Sequence, residues 1–235
     1  MLAIFKREFA SYFTNPMGYV FLAVFYFFSG MYFSMILQYN TTDITYVFSY
    51  LFEVLMFIIP LLCMRLMSED KRQKTDQLLL TSPVSITGLV IGKFLAAFAI
   101  YGIALSVTVV YSIILSFFAS PEWAVVIGNI FGSLLMGGAM IAICLLVSAC
   151  TESQIIAAIG GLAAMFGLWM IESVASLLPD SLMWLGDAIT SLSFATRYNN
   201  FCSGILNISD VLFFISAIVI FIFFTVRIIE KKRWS

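Results

Sequence analysis

The sequence predicts an all-α polytopic membrane protein with six transmembrane helices, and three observations support this fold class. Hydrophobic residues make up 62% of the 235 positions, charged residues only 11%, and the mean hydropathy is +1.05. A water-soluble domain of this length needs more charge to cover its surface. The apolar residues also form runs of about 20, the length at which a helix crosses a bilayer core about 30 Å thick.

The first element is predicted to be an amphipathic helix over 2–13 that lies in the inner membrane interface. Leu2, Phe5 and Phe9 recur at helical spacing with charged residues between them, and Asn15-Pro16 then breaks the helix. An uncleaved signal-like start is the alternative. We favour the interfacial helix because no small-residue cleavage site follows the first span.

Six apolar segments are predicted to cross the membrane as one transmembrane domain over 1–235. The polar gaps between them are too short for a soluble domain. The third segment is long enough to tilt or to extend beyond the bilayer. The predicted spans are 17–38, 46–66, 86–118, 123–150, 154–178 and 208–229.

The basic residues predict that both termini are cytoplasmic. Inner loops of membrane proteins are rich in Lys and Arg. With the N-terminus inside, Arg197 is the one basic residue of the twelve that falls outside. The others lie on or near the inner side: Lys6, Arg7, Arg65, Lys71, Arg72, Lys74, Lys93, Arg227, Lys231, Lys232 and Arg233.

The segment 179–207 is predicted to lie outside and to contain short re-entrant or interfacial helices. Its apolar patches are too short to cross the membrane. A plain loop is the alternative.

Two acidic residues, Glu53 and Glu172, lie inside predicted spans, each about two turns or roughly 10 Å from the outer end of its helix. A carboxylate at that depth is costly unless it faces a polar cavity or finds a partner. They are candidate residues of a substrate or water pathway that opens outward. Hydrogen bonding, or a reach to the lipid headgroups, remains an equal alternative.

Several kinds of chemistry are excluded or disfavoured by residue type. The chain has no histidine, which rules out His metal ligands, Ser-His-Asp triads and His proton relays. Its four cysteines show no C-x-x-C spacing and are expected to be free thiols. There is no G-x-S-x-G motif, and Asp180, Asp187 and Asp210 are too scattered to indicate an active site. We therefore expect neither an enzyme nor a metal site. The net charge of −1 does not favour nucleic acid as a partner.

Residues 88–94 (GLVIGKF) superficially resemble a phosphate-binding loop. The glycine spacing is one residue short, Phe94 stands where Ser or Thr would hold magnesium, and no strand precedes the segment. We expect no nucleotide binding by this chain. Instead, Gly88 and Gly92 are expected to allow close packing, and Lys93 to extend its side chain to the inner interface. Gly128 and Gly132 likewise form a GxxxG pattern that predicts close helix contact.

A polar segment from Arg65 to Pro83 interrupts the apolar chain. It holds seven of the 25 charged residues between Arg65 and Asp76. Such a run is usually a solvated loop. Here Thr75 is a suitable N-cap, and a short helix with three leucines can follow before Pro83. Exposed leucines on a cytoplasmic helix need membrane or protein to cover them, so the segment is predicted to dock on a soluble partner.

In this segment the chain resembles the membrane subunit (permease) of type-2 ABC exporters, the ABC-2 family. That family has an acidic-acidic-basic pattern, then Gly-Thr, a Glu, leucines and a Pro. The residues that match are Glu69, Asp70, Lys71, Thr75, Leu78, Leu79 and Pro83, followed by Gly92-Lys93. Lys74 replaces the usual Gly and Gln77 the usual Glu, and these two departures leave the docking element intact.

The resemblance extends over the whole chain and is closest to the gliding-motility-type permeases, through Gly18-Tyr19, Met64-Arg65 and the approach from Gly204-Ile205 to Asp210. It implies a multi-pass permease of the bacterial inner membrane that works with a cytoplasmic ABC ATPase subunit, a second or homologous permease, and membrane lipids. ATP and Mg would be bound by the ATPase. A secondary carrier or channel that is not driven by ATP is the alternative function.

The resemblance also implies a coupling segment over 68–83, through which ATP hydrolysis in the partner would drive transport. Its candidate docking residues are Glu69, Asp70, Lys71, Arg72, Thr75, Asp76, Gln77, Leu78, Leu79 and Leu80. The transported substrate does not follow from these residues.

Overall fold

A computed structural model describes residues 2–39, 44–72, 85–118, 122–176 and 190–234, and every regular element in these ranges is an α-helix. The predicted all-α fold is therefore confirmed. The helices in chain order are α1 (Leu2–Thr14), α2 (Pro16–Gln38), α3 (Thr45–Cys63), α4 (Ser68–Arg72), α5 (Ile86–Phe118), α6 (Trp123–Cys150), α7 (Gln154–Ser176), α8 (Phe194–Cys202) and α9 (Ile208–Trp234).

Six stretches in the described ranges are long and apolar enough to cross a membrane, which confirms the predicted number of candidate spans. They lie in α2, in α3 continued to α4, and in α5, α6, α7 and α9. The short α1 precedes them and is separated from α2 by Asn15, whose backbone is extended (φ −100°, ψ 152°). Pro16 then opens α2 at a position where a helix needs no N–H donor.

The central helices of the bundle are α3 and α6. In each of them, 67% of the most apolar stretch is buried, against 22% in α7 and 28% in α2 and α9. The middle helix α6 contacts α3, α5, α7, α8 and α9. The helices on the outside keep many large apolar side chains exposed, as a lipid-facing surface requires.

Small residues allow the neighbours of α6 to approach closely. Gly137 lies against the ring of Tyr101 on α5, and Gly132 lies against Phe201 on α8. Gly128 faces the side chain of Leu206, which follows α8. The GxxxG pattern of α6 is thus covered by the α8 region, in agreement with the close contact expected from the sequence.

The helix α8 lies within the predicted outer segment 179–207, of which residues 179–189 fall outside the described part. At nine residues, α8 is too short to span a bilayer. Its Tyr198 hydroxyl lies 2.8 Å from Ser133 Oγ on α6 and donates to the carbonyl oxygen of Phe48 on α3 at 3.2 Å. These bonds hold α8 against the two central helices.

An ion pair joins α8 to the start of α9. Arg197 Nη1 lies 2.7 Å from Asp210 Oδ1, and Asn200 Nδ2 donates to Asp210 Oδ2 at 2.9 Å. The sequence had presented Asp210 as one of three scattered acids. Burial of its carboxylate beside Arg197 makes it a structural group that orders this end of the bundle.

Substitution of Gly137 by Ala is expected to destabilise the bundle. A Cβ at this position would lie 2.3 Å from Tyr101 Cε1, and Tyr101 cannot move easily because it is buried and donates to the Ser133 carbonyl at 2.8 Å. Overpacking of this kind costs about 1–3 kcal/mol. The free energy of unfolding in detergent would measure the loss.

The matched control is Gly102→Ala on α5, where an added Cβ meets no atom within 4 Å. That variant is expected to be neutral, or stabilising by up to about 1 kcal/mol through helix propensity. Equal stability of the two variants would contradict the close approach of α5 and α6.

Candidate coupling site

Charged side chains gather at one end of the bundle, where α1, α4, the first turns of α5 and the last turn of α6 meet. We call this region the charged end. It is formed by the N-terminal helix, by the chain just before the segment 73–84, and by the helix that follows that segment.

A buried lysine lies at the centre of the charged end. The side chain of Lys93 is only 2% exposed, and its Nζ lies 2.8 Å from Asp70 Oδ2 on α4 and 3.2 Å from Glu8 Oε1 on α1. The same Nζ donates to the carbonyl oxygen of Leu66. Three oxygen atoms thus surround the ammonium: a carbonyl that accepts its hydrogen bond and two carboxylates that pair with its charge. The arrangement offsets the cost of removing the charge from water.

The expectation that Lys93 extends to the membrane interface is wrong. Lys93 is the eighth residue of α5, roughly 10 Å from the start of the helix. Its side chain turns into the protein because two carboxylates from other elements meet it there. Glu8 and its pairing with Lys93 were missed by sequence reasoning. The one available signal was an acidic residue among the aromatic residues of an amphipathic helix.

A second pair of charges holds the chain around α4. Arg65 donates from Nε to Glu69 Oε2 and from Nη2 to Glu69 Oε1, both at 2.7 Å. Two parallel bonds of this kind fix direction as well as distance. On α1, Arg7 lies 2.7 Å from the same Glu8 oxygen that faces Lys93. Glu8, Glu69 and Asp70 thus each have a basic residue beside them.

The last turn of α6 anchors the chain between α3 and α4. Ser148 Oγ accepts from the backbone N–H groups of Met67 and Ser68, both at 3.2 Å, and lies 3.2 Å from the Met64 carbonyl oxygen. The ammonium of Lys71 donates to the Ala149 carbonyl oxygen. These bonds satisfy polar groups that helix ends leave without partners inside the helix.

The helix α1 is bound to the end of α3 by Tyr12. Its buried hydroxyl donates to the Leu62 carbonyl oxygen at 3.1 Å. Burial raises the pKa of Tyr12 well above its usual value, so the hydroxyl keeps its proton and remains a donor. A cavity of about 30 Å³ lies beside it, large enough for a water molecule. Its lining includes Glu8, Tyr12, Asn15, Arg65 and Glu69.

The predicted docking residues divide into two groups. Glu69, Asp70, Lys71 and Arg72 lie on α4 at the charged end, with Arg72 exposed and the other three partly buried. The remaining six lie outside the described residues: Thr75, Asp76, Gln77, Leu78, Leu79 and Leu80.

The two predicted pathway residues are far from the charged end. Glu53 is exposed on α3, on the same side of that helix as the exposed Tyr50 and Phe57. Glu172 lies in α7, and its side chain is outside the described part. In the described ranges, no three His, Cys, Asp or Glu side chains are grouped so that they could hold a metal ion.

Comparison with known proteins identifies a family. A family model described as "ABC-2 family transporter protein" matches residues 37–233. The match includes Asp70 and Lys93 but begins after α1, so Glu8 lies outside it. No curated protein gave a significant match to the chain.

Replacement of Ser148 by Ala is expected to destabilise the charged end. It leaves the N–H groups of Met67 and Ser68 without the acceptor that they share, and an unsatisfied buried donor costs about 1–3 kcal/mol. Hydrogen exchange of peptides that contain these two amides would show the loss as faster exchange.

Ser106→Ala is a suitable control, because the exposed Ser106 donates only to Ile103 within its own helix. It should leave the exchange of Met67 and Ser68 unchanged. If Ser148→Ala also left it unchanged, the anchoring role of α6 would be refuted.

Proposed function

The chain belongs to the ABC-2 family of transporter proteins, and on this premise we propose that it is the membrane-spanning permease subunit of an ATP-driven exporter. The observation that carries the proposal is the family match over 37–233, which runs from the end of α2 to the end of α9. The six apolar helices fit a multi-pass membrane component of a transporter. ATP and Mg would be bound by a separate ATPase subunit.

We place the charged end in the cytoplasm of a bacterial cell, with the chain in the inner membrane. The basic residues support this orientation, since inner loops of membrane proteins are enriched in Lys and Arg. Those in the described part at or near the charged end are Lys6, Arg7, Arg65, Lys71, Arg72, Lys93, Arg227 and Lys231. Arg197 lies on α8, at the opposite end.

The segment over 68–83 is proposed to be the coupling element that docks on the ATPase. Its first turn, α4, is held to α6 by Lys71 and to α5 through Asp70 and Lys93. A displacement of the segment would therefore pull directly on two of the long helices. The charges of Glu69 to Arg72 would orient the partner, while the residues from Thr75 to Leu80 would provide the contact.

The exposed Glu53 supports a substrate path along α3. A carboxylate on the surface of a candidate span is unfavourable against lipid. It is better accommodated where a second permease, identical or homologous, closes an aqueous path against this face. Glu172 is proposed to line the same path.

Within the family, the motifs around Gly18-Tyr19 and Met64-Arg65 support a place among the gliding-motility-type permeases.

The docking proposal is tested by reversal of charge on α4. Arg72→Glu is the cleanest variant because Arg72 is exposed, whereas Lys71 also binds the Ala149 carbonyl. A tagged wild-type chain purified from its native membranes should retain an ABC ATPase. The variant should retain about tenfold less, which corresponds to ~1.4 kcal/mol for one charge contact.

Lys231→Glu provides the control, because Lys231 is exposed on α9 at the same end but lies outside the segment. It should retain the ATPase as the wild type does. Equal recovery with Arg72→Glu would refute docking through α4. Transport by the chain alone, driven by an ion gradient in liposomes, would instead favour a secondary carrier.

A further inference from the structure

The ion cluster of Glu8, Asp70 and Lys93 connects three elements that are far apart in the sequence. Glu8 is on α1, Asp70 is on α4, and Lys93 is on α5. The ammonium of Lys93 lies between two carboxylates that repel each other when both are ionised. Lys93 therefore turns a repulsion between α1 and α4 into an attraction.

Burial makes this attraction strong compared with a surface ion pair. The side chains of Glu8, Asp70 and Lys93 are 14%, 20% and 2% exposed. Water and salt screen charges in such a place much less than on an open surface. A movement of α4 away from Lys93 would leave the ammonium with fewer acceptors, so the elements resist separation.

Other contacts bind α1 to the same helices. Tyr12 holds α1 to the end of α3, and Phe5 of α1 lies beside Leu95 and Phe98 of α5 along a shared apolar groove. These contacts fix where α1 lies on α3 and α5. The cluster at Lys93 adds a link from α1 to α4, the helix that directly precedes the proposed coupling segment.

We propose that Lys93 is a positioning residue that makes α1, α4 and the start of α5 move as one body, so that α1 is a moving part of the coupling element. This inference rests on the proposed function, since it requires an ATPase to displace the segment after α4. It does not follow from the family match, which begins after α1.

The link itself is tested first on the chain alone, by hydrogen exchange of α1. Lys93→Met removes the shared counter-ion and leaves two facing carboxylates, so exchange in α1 should become about tenfold faster as α1 separates from α4. A triple variant, Glu8→Gln with Asp70→Asn and Lys93→Met, removes the repulsion as well and should restore slow exchange.

Arg227→Met is the control for this measurement, because Arg227 pairs with Glu230 on the exposed surface of α9. It should leave α1 exchange as in the wild type. Unchanged exchange in Lys93→Met would overturn the proposal, whatever the ATPase does.

The transmission of movement is tested in the complex with the ATPase. Spin labels at Ala10→Cys on α1 and Val219→Cys on α9 would report the distance between these two helices. The background is Cys150→Ser, because Cys150 is the exposed native thiol. In the otherwise native chain this distance should change between the nucleotide-free and vanadate-trapped states. The triple variant is expected to keep α1 on α3 and α5 through Tyr12 and Phe5 but to lack the link to α4, so in it the distance should not change.

The single variant Lys93→Arg keeps a positive charge between the two carboxylates. In it the distance should change between the two nucleotide states, by less than in the native chain but by more than in the triple variant. A merely structural role predicts instead that the triple variant responds as the wild type does, and that result would overturn the proposal. An unchanged distance in the native complex would overturn the proposal too. If the native chain retained no ATPase, the proposed function itself would be refuted. The exchange experiment on the chain alone would still decide whether Lys93 links α1 to α4.

Discussion

A positive charge buried among apolar helices needs oxygen atoms around it in place of water, and this constraint organises the charged end of the protein. Lys93 meets it with a carboxylate from α1, a carboxylate from α4 and the carbonyl of Leu66. None of these groups comes from its own helix. The N-terminal helix, the end of the second span and the start of the third are therefore positioned by one side chain.

The same demand for partners explains the other polar contacts between helices. Ser148 accepts hydrogen bonds from two backbone N–H groups that follow α3. Tyr12 donates to the Leu62 carbonyl, and Tyr198 binds α8 to the two central helices. Each of these bonds satisfies a buried backbone group or hydroxyl. In a bundle with few charges, these bonds and the small residues of α6 determine which helices are neighbours.

The sequence was a good guide to the fold and a partial guide to the site. Helix length and hydropathy identified six candidate spans, because each span is a local property of about 20 residues. The acid–base pattern from Glu69 to Arg72 likewise indicated the part of the chain where the charged end is found. It gave no sign that Asp70 faces Lys93, or that Glu8 completes the cluster. Local patterns show which residues share a helix face, but they do not show which faces of distant helices meet.

The sequence by itself thus determined a helical membrane protein, its six candidate spans and the break at Asn15-Pro16, because apolar length and backbone preference act over short distances. The tertiary structure decided the partners of the charges: Lys93 turns inward to Glu8 and Asp70, and Asp210 pairs with Arg197. The physical reason is that the cost of a buried charge depends on the atoms a few ångströms away, and folding brings those atoms from other elements.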